Sequence, residues 1–220
     1  MLIVLPALIF TLWAQLNVNS TYESYSKVTV SRGLTGYDSA RRILDANGLY
    51  NVKIERVRGH LTDHYDPRAN VIRLSDSVHD SCSAAAIGVA AHEAGHAVQY
   101  AKGYAPIKLR QSIIPVTRIG SVLAMPLFLI GLIATIPALM YAGIIFYSLA
   151  TVFQLVTLPV EFNASNRAME ALDSSGMLSS SELKASRKVL TAAALTYVAA
   201  LATSLLSLLR LIVIANNRRR

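Results

Sequence analysis

The chain has 220 residues, of which 53% are hydrophobic and only 15% are charged, and its mean hydropathy is +0.42. Average soluble domains are roughly 25% charged, so this composition excludes a disordered chain and argues against an ordinary soluble protein. The net charge of +8 suits an anionic membrane surface and comes without a basic motif for nucleic acid, while a single cysteine, Cys82, excludes an internal disulfide.

The chain begins with an apolar stretch over residues 1–16 that is interrupted only by Thr11 and Gln15. Its length is near the lower limit of a membrane span, roughly 17 residues. A cleaved signal peptide is the alternative, but no Lys or Arg precedes the stretch and no small-residue cleavage site follows it. We therefore expect an uncleaved N-terminal transmembrane anchor.

Residues 17–110 form a long polar segment that is expected to fold as a small α+β domain. Apolar residues that share one helical face, and strict alternation of apolar with polar residues, distinguish its helices from its strands. The predicted elements are a helix over residues 38–46, strands over 52–57 and 70–74 with a loop at 59–67 between them, and an Ala-rich helix over 83–102.

Residues 113–160 are apolar apart from one charge, Arg118. As a single helix they would extend about 72 Å, against a hydrocarbon core of about 30 Å. They are therefore expected to form a transmembrane hairpin, with its turn near residues 137–143. A shorter polar segment follows at 161–189, and residues 190–214 predict a C-terminal transmembrane helix.

The Ala-rich helix carries the sequence His92-Glu93-Ala94-Gly95-His96. Histidines four residues apart lie one turn apart on the same helical face, so that both imidazoles can bind one Zn²⁺. Glu93 lies next to the first histidine, where its carboxylate can accept a proton from an attacking water without binding the metal. Gly95 in a helix interior costs about 1 kcal/mol relative to Ala, and a close neighbour would explain its presence.

A catalytic zinc needs a third protein ligand, which the motif does not supply. The candidates are Glu161 and three histidines, His60, His64 and His79. Two predicted spans separate the motif helix from Glu161, and an even number of crossings returns the chain to the same side of the membrane. This topology favours Glu161, while His60 and His64 remain candidates for contacts with substrate.

Several strings in this sequence resemble the YugP-type family of membrane zinc metallopeptidases. They are Leu-Thr-Gly-Tyr at residues 34–37, Leu-Thr-Asp-His-Tyr-Asp-Pro at 61–67, Ala-Ala-His-Glu-Ala-Gly-His-Ala-Val-Gln at 90–99 and Leu-Pro-Val-Glu-Phe-Asn-Ala-Ser at 158–165. The resemblance implies a zinc protease of the cell membrane with His92 and His96 as ligands and Glu93 as general base.

A wider similarity extends to membrane proteases whose third ligand is the Glu of a Glu-x-x-Ala-Asp pattern. Glu161 and Ala164 match this pattern, but Ser165 stands where the Asp would be. In that wider group the Asp helps to orient a ligand, and such partners contribute to metal affinity. Asn163, Ser165 and Asn166 are the possible substitutes, and Glu161 remains the expected third ligand.

The predicted architecture is a mainly α membrane protein with about four transmembrane helices and a small α+β zincin-like domain that carries the motif helix. The predicted function is that of a zinc endopeptidase acting on membrane proteins or peptides at the lipid bilayer. The alternative is a zinc-binding membrane scaffold or interaction protein without protease activity.

The positive charges bear on the orientation of the protein in the membrane. All but four of the 21 Lys and Arg residues lie on the side of the two polar segments. Those near the last span favour a cytoplasmic position for this side, although the C-terminal arginines argue the other way. The sequence does not predict an oligomeric state.

Overall fold

A computed structural model describes residues 2–218. A short 3₁₀ turn at Leu2–Val4 precedes the first helix. The helices are α1 (Leu5–Tyr25), α2 (Gly36–Ala46), α3 (Asp76–His79), α4 (Ala84–Ala101), α5 (Ala105–Ile133), α6 (Pro137–Ser174) and α7 (Ser180–Asn217), and the strands are β1 (Lys53–Val57), β2 (His64–Asp66) and β3 (Val71–Ser75).

One of two compact units consists of residues 2–15, 105–159 and 195–218. It is helical and has a small buried core at Phe128, Met140 and Leu211. Within residues 2–218, four helices are long and apolar enough to cross a membrane, namely Leu2–Tyr25, Ala105–Ile133, Pro137–Ser174 and Ser180–Asn217. Together with a small three-stranded sheet, they confirm the predicted fold class of a mainly α membrane protein with a small α+β part.

The hairpin turn lies at residues 134–136, because α5 ends at Ile133 and α6 begins at Pro137. The predicted turn near residues 137–143 is therefore wrong. Proline lacks an N–H group, but the first residues of a helix have no intrahelical acceptor for that group. Pro137 can thus start a helix where the sequence analysis placed a turn.

The second unit consists of residues 16–104 and 160–194. Its strand order is β1-β3-β2, with β1 parallel and β2 antiparallel to β3. The strands confirm those predicted near residues 52–57 and 70–74, whereas β2 lies in the predicted loop. The core of this unit includes the fully buried side chains Leu44, Ile72, Leu74, Ile87 and Leu172.

The start of α2 is fixed by a capping box, in which Thr35 accepts from the backbone N–H of Asp38 and the Asp38 carboxylate accepts from that of Thr35. Further along α2, the Arg41 guanidinium donates to the carbonyl oxygens of Leu49 and Val52 at 2.8 and 2.7 Å. These bonds tie α2 to the segment that leads into β1. Helix α2 in turn packs against α4, the helix with the histidines.

Two glycines of α4 allow neighbouring helices to approach its backbone. A Cβ atom at Gly88 would lie 3.2 Å from Cβ of Ser186 in α7, and one at Gly95 would lie 2.6 Å from the carbonyl oxygen of Ala164 in α6. The second distance is too short for any real Cβ, and a backbone oxygen cannot move without moving its helix. The predicted close neighbour of Gly95 is therefore the backbone of α6.

The substitution Gly95→Ala should lower the thermal unfolding temperature of the purified protein. Alanine favours the helix by about 1 kcal/mol, but forcing α6 away from α4 should cost about 1–3 kcal/mol. Gly88→Ala is the matched control in the same helix, and its effect should be smaller because its nearest neighbour lies at 3.2 Å rather than 2.6 Å, so that a shift of a few tenths of an ångström relieves the contact. A Gly95→Ala protein at least as stable as Gly88→Ala would contradict the close-packing argument.

Candidate metal centre

Three potential metal ligands converge between α4 and α6. His92 and His96 lie one turn apart on α4, with ring centroids 4.7 Å apart and ring planes inclined by 82°. Glu161 reaches them from α6, and its Oε2 lies 3.2 Å from Nε2 of His92 and 3.5 Å from Nε2 of His96. All three groups are largely buried, and one donor atom from each lies within 4.8 Å of the others.

The donor set and its spacing fit zinc. Two imidazoles and a carboxylate are a common protein ligand set for catalytic zinc. With metal–ligand bonds of about 2.0–2.1 Å, two ligands of a tetrahedral zinc lie about 3.3 Å apart. The distances of 3.2 and 3.5 Å from Glu161 Oε2 to the two Nε2 atoms agree with that spacing.

The other nitrogen of each imidazole, Nδ1, has its own hydrogen-bond partner. Nδ1 of His92 lies 3.1 Å from Oγ of Ser165, and Nδ1 of His96 lies 3.0 Å from Oε1 of Gln99. Partners of this kind hold the ring and leave Nε2 for a metal. Of the three predicted substitutes for the missing Asp, Ser165 is the one that contacts a histidine of this group.

Asn163 and Asn166 occupy different positions. Asn163 accepts from Gln99, with 3.0 Å between Nε2 and Oδ1, so that it contacts the site through another side chain. Asn166 is exposed to solvent on α6.

Glu93 is buried, with 8% of its surface exposed, and its negative charge acts on His96. Burial of the His96 ring lowers its pKa, but the hydrogen bond with Glu161 and the charges of Glu93 and Glu161 raise that pKa more, so the net shift is upward. The surroundings of the His96 ring therefore favour positive charge. A metal ion at Nε2 would have to displace the proton from that nitrogen.

The remaining histidines lie outside this group. The His60 ring packs edge-on against Tyr22, with 5.3 Å between centroids. His64 contacts the carbonyl oxygen of Thr62 through Nδ1 at 2.8 Å, and His79 contacts the carboxylate of Asp80 at 2.7 Å. Among the described residues, Glu161 is thus the candidate that joins His92 and His96.

Sequence reasoning missed the role of Gln99. Its side chain is fully buried, and it contacts His96 from one turn further along the same helix. The spacing of three residues after His96 puts both on one helical face, and that spacing was a usable clue. A buried amide in an Ala-rich helix also needs hydrogen-bond partners.

The chain is similar to known proteins along nearly its whole length. A family model described as "Putative neutral zinc metallopeptidase" matches residues 1–216. The chain is 51% identical over 215 residues to "Putative membrane protease YugP" of Bacillus subtilis (strain 168), and the alignment covers 98% of this chain and 96% of that relative. No solved structure matches the chain. Because the family match extends over nearly every residue, the chain belongs to the neutral zinc metallopeptidase family, whose metal is zinc.

Proposed function

We propose that this protein is a membrane-embedded, zinc-dependent endopeptidase. His92, His96 and Glu161 hold the metal, and Glu93 is the general base. The observation that carries the proposal is the convergence of the two imidazoles and the Glu161 carboxylate within 4.8 Å, next to a second buried carboxylate. Zinc, when bound, supplies Lewis acidity towards a water molecule and the scissile carbonyl group.

Glu93 performs the proton transfers in this proposal. Its carboxylate is not occupied by a hydrogen bond with another described residue, and it lies in the sequence directly after His92. It accepts a proton from the attacking water and delivers it to the amine that leaves when the peptide bond breaks. Its low exposure keeps bulk water from competing for that proton.

Strand β2 is the proposed binding edge for substrate. It is an outer strand of the sheet and pairs only with β3 among the described residues. Tyr65 on β2 contacts Tyr100 on α4, with 6.2 Å between ring centroids, so the strand lies beside the motif helix. An extended peptide can pair with such an edge through its backbone. The substrates proposed are membrane proteins or peptides near the bilayer, because the chain itself spans it.

The substitution Glu161→Ala should weaken zinc binding by more than about 100-fold, because it removes a ligand rather than an outer partner. Zinc affinity can be measured by competition with a chromophoric chelator. Glu170→Ala, an exposed carboxylate of the same helix, is the matched control and should bind zinc as the wild type does. An unchanged affinity in Glu161→Ala would assign the third ligand to another residue.

The substitution Glu93→Gln should retain stoichiometric zinc and lower the rate of peptide cleavage by about 10²–10⁴-fold, since the amide cannot accept the proton. Cleavage of an unstructured peptide library, followed by mass spectrometry, measures this rate without a known substrate. Glu170→Gln serves as the control. Wild-type protein that binds zinc but cleaves nothing would support the scaffold alternative, and full activity in Glu93→Gln would remove Glu93 from the mechanism.

We also propose that the polar segments face the cytoplasm, as the positive charges beside the last span favour. The single cysteine, Cys82, is partly exposed in the first polar segment, and it should react with a membrane-impermeant maleimide only after cells are permeabilised. In the control, Cys82→Ser with Asn216→Cys, the cysteine lies at the exposed C-terminal end of α7 and should react in intact cells. Labelling of Cys82 in intact cells would reverse the orientation.

A further inference from the structure

Gln99 has hydrogen-bond partners at both ends of its amide group. Its Nε2 donates to the carbonyl oxygen of Val160 at 2.8 Å and to Oδ1 of Asn163 at 3.0 Å. Its Oε1 lies 3.0 Å from Nδ1 of His96. Gln99 is 0% exposed, so bulk solvent does not compete with these partners.

The direction of each hydrogen bond follows from Arg167. The Nε of Arg167 lies 2.7 Å from Asn163, and a guanidinium only donates. The Asn163 atom at that position must therefore be the oxygen. The same oxygen faces Gln99, so the Gln99 atom next to it must be the amide nitrogen. Amide oxygen and nitrogen have nearly the same shape, and this sequence of donors and acceptors is what distinguishes them.

The Val160 carbonyl confirms this orientation of Gln99 independently, because a carbonyl oxygen only accepts. With its nitrogen held by two acceptors, Gln99 presents its oxygen to His96. That oxygen can only accept, so Nδ1 of His96 must carry the proton. The lone pair of the neutral ring then lies on Nε2, the nitrogen that faces Glu161.

We propose that Arg167, Asn163 and Gln99 form a hydrogen-bond relay that fixes His96 in the tautomer with Nδ1 protonated and Nε2 free to bind the metal. The three are positioning residues that act through His96. The Arg167 guanidinium also lies over the Tyr104 ring, 6.0 Å from its centroid. The proposal rests on the role of His96 as a metal ligand under the proposed function.

The relay differs from the contact at the other histidine. Oγ of Ser165 lies 3.1 Å from Nδ1 of His92, and a hydroxyl group can donate or accept. It therefore holds the His92 ring without dictating its tautomer. Through Gln99 and Asn163, the His96 ring is connected to the Arg167 guanidinium, whose role as a donor never changes.

The relay is tested by zinc affinity in a set of variants of the full-length protein, purified in detergent. Gln99→Leu keeps much of the side-chain volume but removes the acceptor for His96, and it should weaken zinc binding about 10–100-fold. Asn163→Leu should have an effect of similar size, because Gln99 loses the acceptor that sets its orientation. Asn163→Asp keeps an oxygen towards both Gln99 and Arg167, and its affinity should stay within about threefold of wild type.

The comparison of Asp with Leu at position 163 separates the relay from a packing role. If Asn163 only fills space, Asn163→Leu should bind zinc better than Asn163→Asp, which brings a new charge. If Asn163 acts through the relay, Asn163→Asp should bind zinc better than Asn163→Leu. Asn166→Leu and Asn166→Asp, at an exposed position of α6, are matched controls and should bind zinc as the wild type does. A cooperative thermal unfolding transition of each metal-free variant shows that the variant folds. If Gln99→Leu does not fold, the zinc affinities of Asn163→Leu and Asn163→Asp alone test the relay.

Equal zinc affinity in the wild type and in both Leu variants would overturn the relay while leaving the proposed function intact. A loss in Asn163→Asp as large as that in Asn163→Leu would also overturn it. Absence of zinc binding in the wild-type protein would instead remove the proposed function and the relay together.

Discussion

The candidate metal centre depends on the close approach of two helix backbones, α4 and α6. This approach is possible because position 95 has no side chain, so that the carbonyl of Ala164 lies where a Cβ would otherwise be. Glu161 precedes Ala164 by about one helical turn and Ser165 follows it directly, and both reach the histidines of α4 from there. Glycine in a helix interior lowers helix stability by about 1 kcal/mol relative to alanine. The contacts of Glu161 and Ser165 with the histidines, which need this close approach of the helices, offset that loss.

Burial of charge is the second constraint on the site. Glu93 and Glu161 are 8% and 2% exposed, and His92 and His96 are also largely buried. With both imidazoles neutral, as metal binding requires, the two carboxylates would carry a formal charge of −2 in a region of low dielectric, where unpaired charge is costly. A divalent cation would balance that charge and accept the lone pairs of both rings.

Local patterns predicted the parts of the structure that depend on local geometry. The common face of His92 and His96 follows from the period of the helix, and the Ala-rich helix that carries them was placed within one residue at each end. Glu161 required an argument from topology, because nothing local relates it to residues far earlier in the chain. Gln99 was missed because its role depends on which side chains α6 presents to α4. Strand β2 at residues 64–66 was missed because three residues are too few to show alternation.

A neutral residue at position 165, next to the His92 ring, is consistent with this balance of charge. A carboxylate at that position would hold the histidine ring as well, but it would bring a third negative charge to a buried site that already carries two. Ser165 and Gln99 both hold a ring nitrogen with a neutral group, so that the charge of the site stays matched to a divalent ion. The positive charge of Arg167 lies one residue further away, behind Asn163, where it would orient the amides without contacting a cation at the proposed ligands. Neutral partners next to the proposed ligands and a guanidinium donor behind them would thus let one arrangement satisfy both the geometry and the electrostatics of the centre.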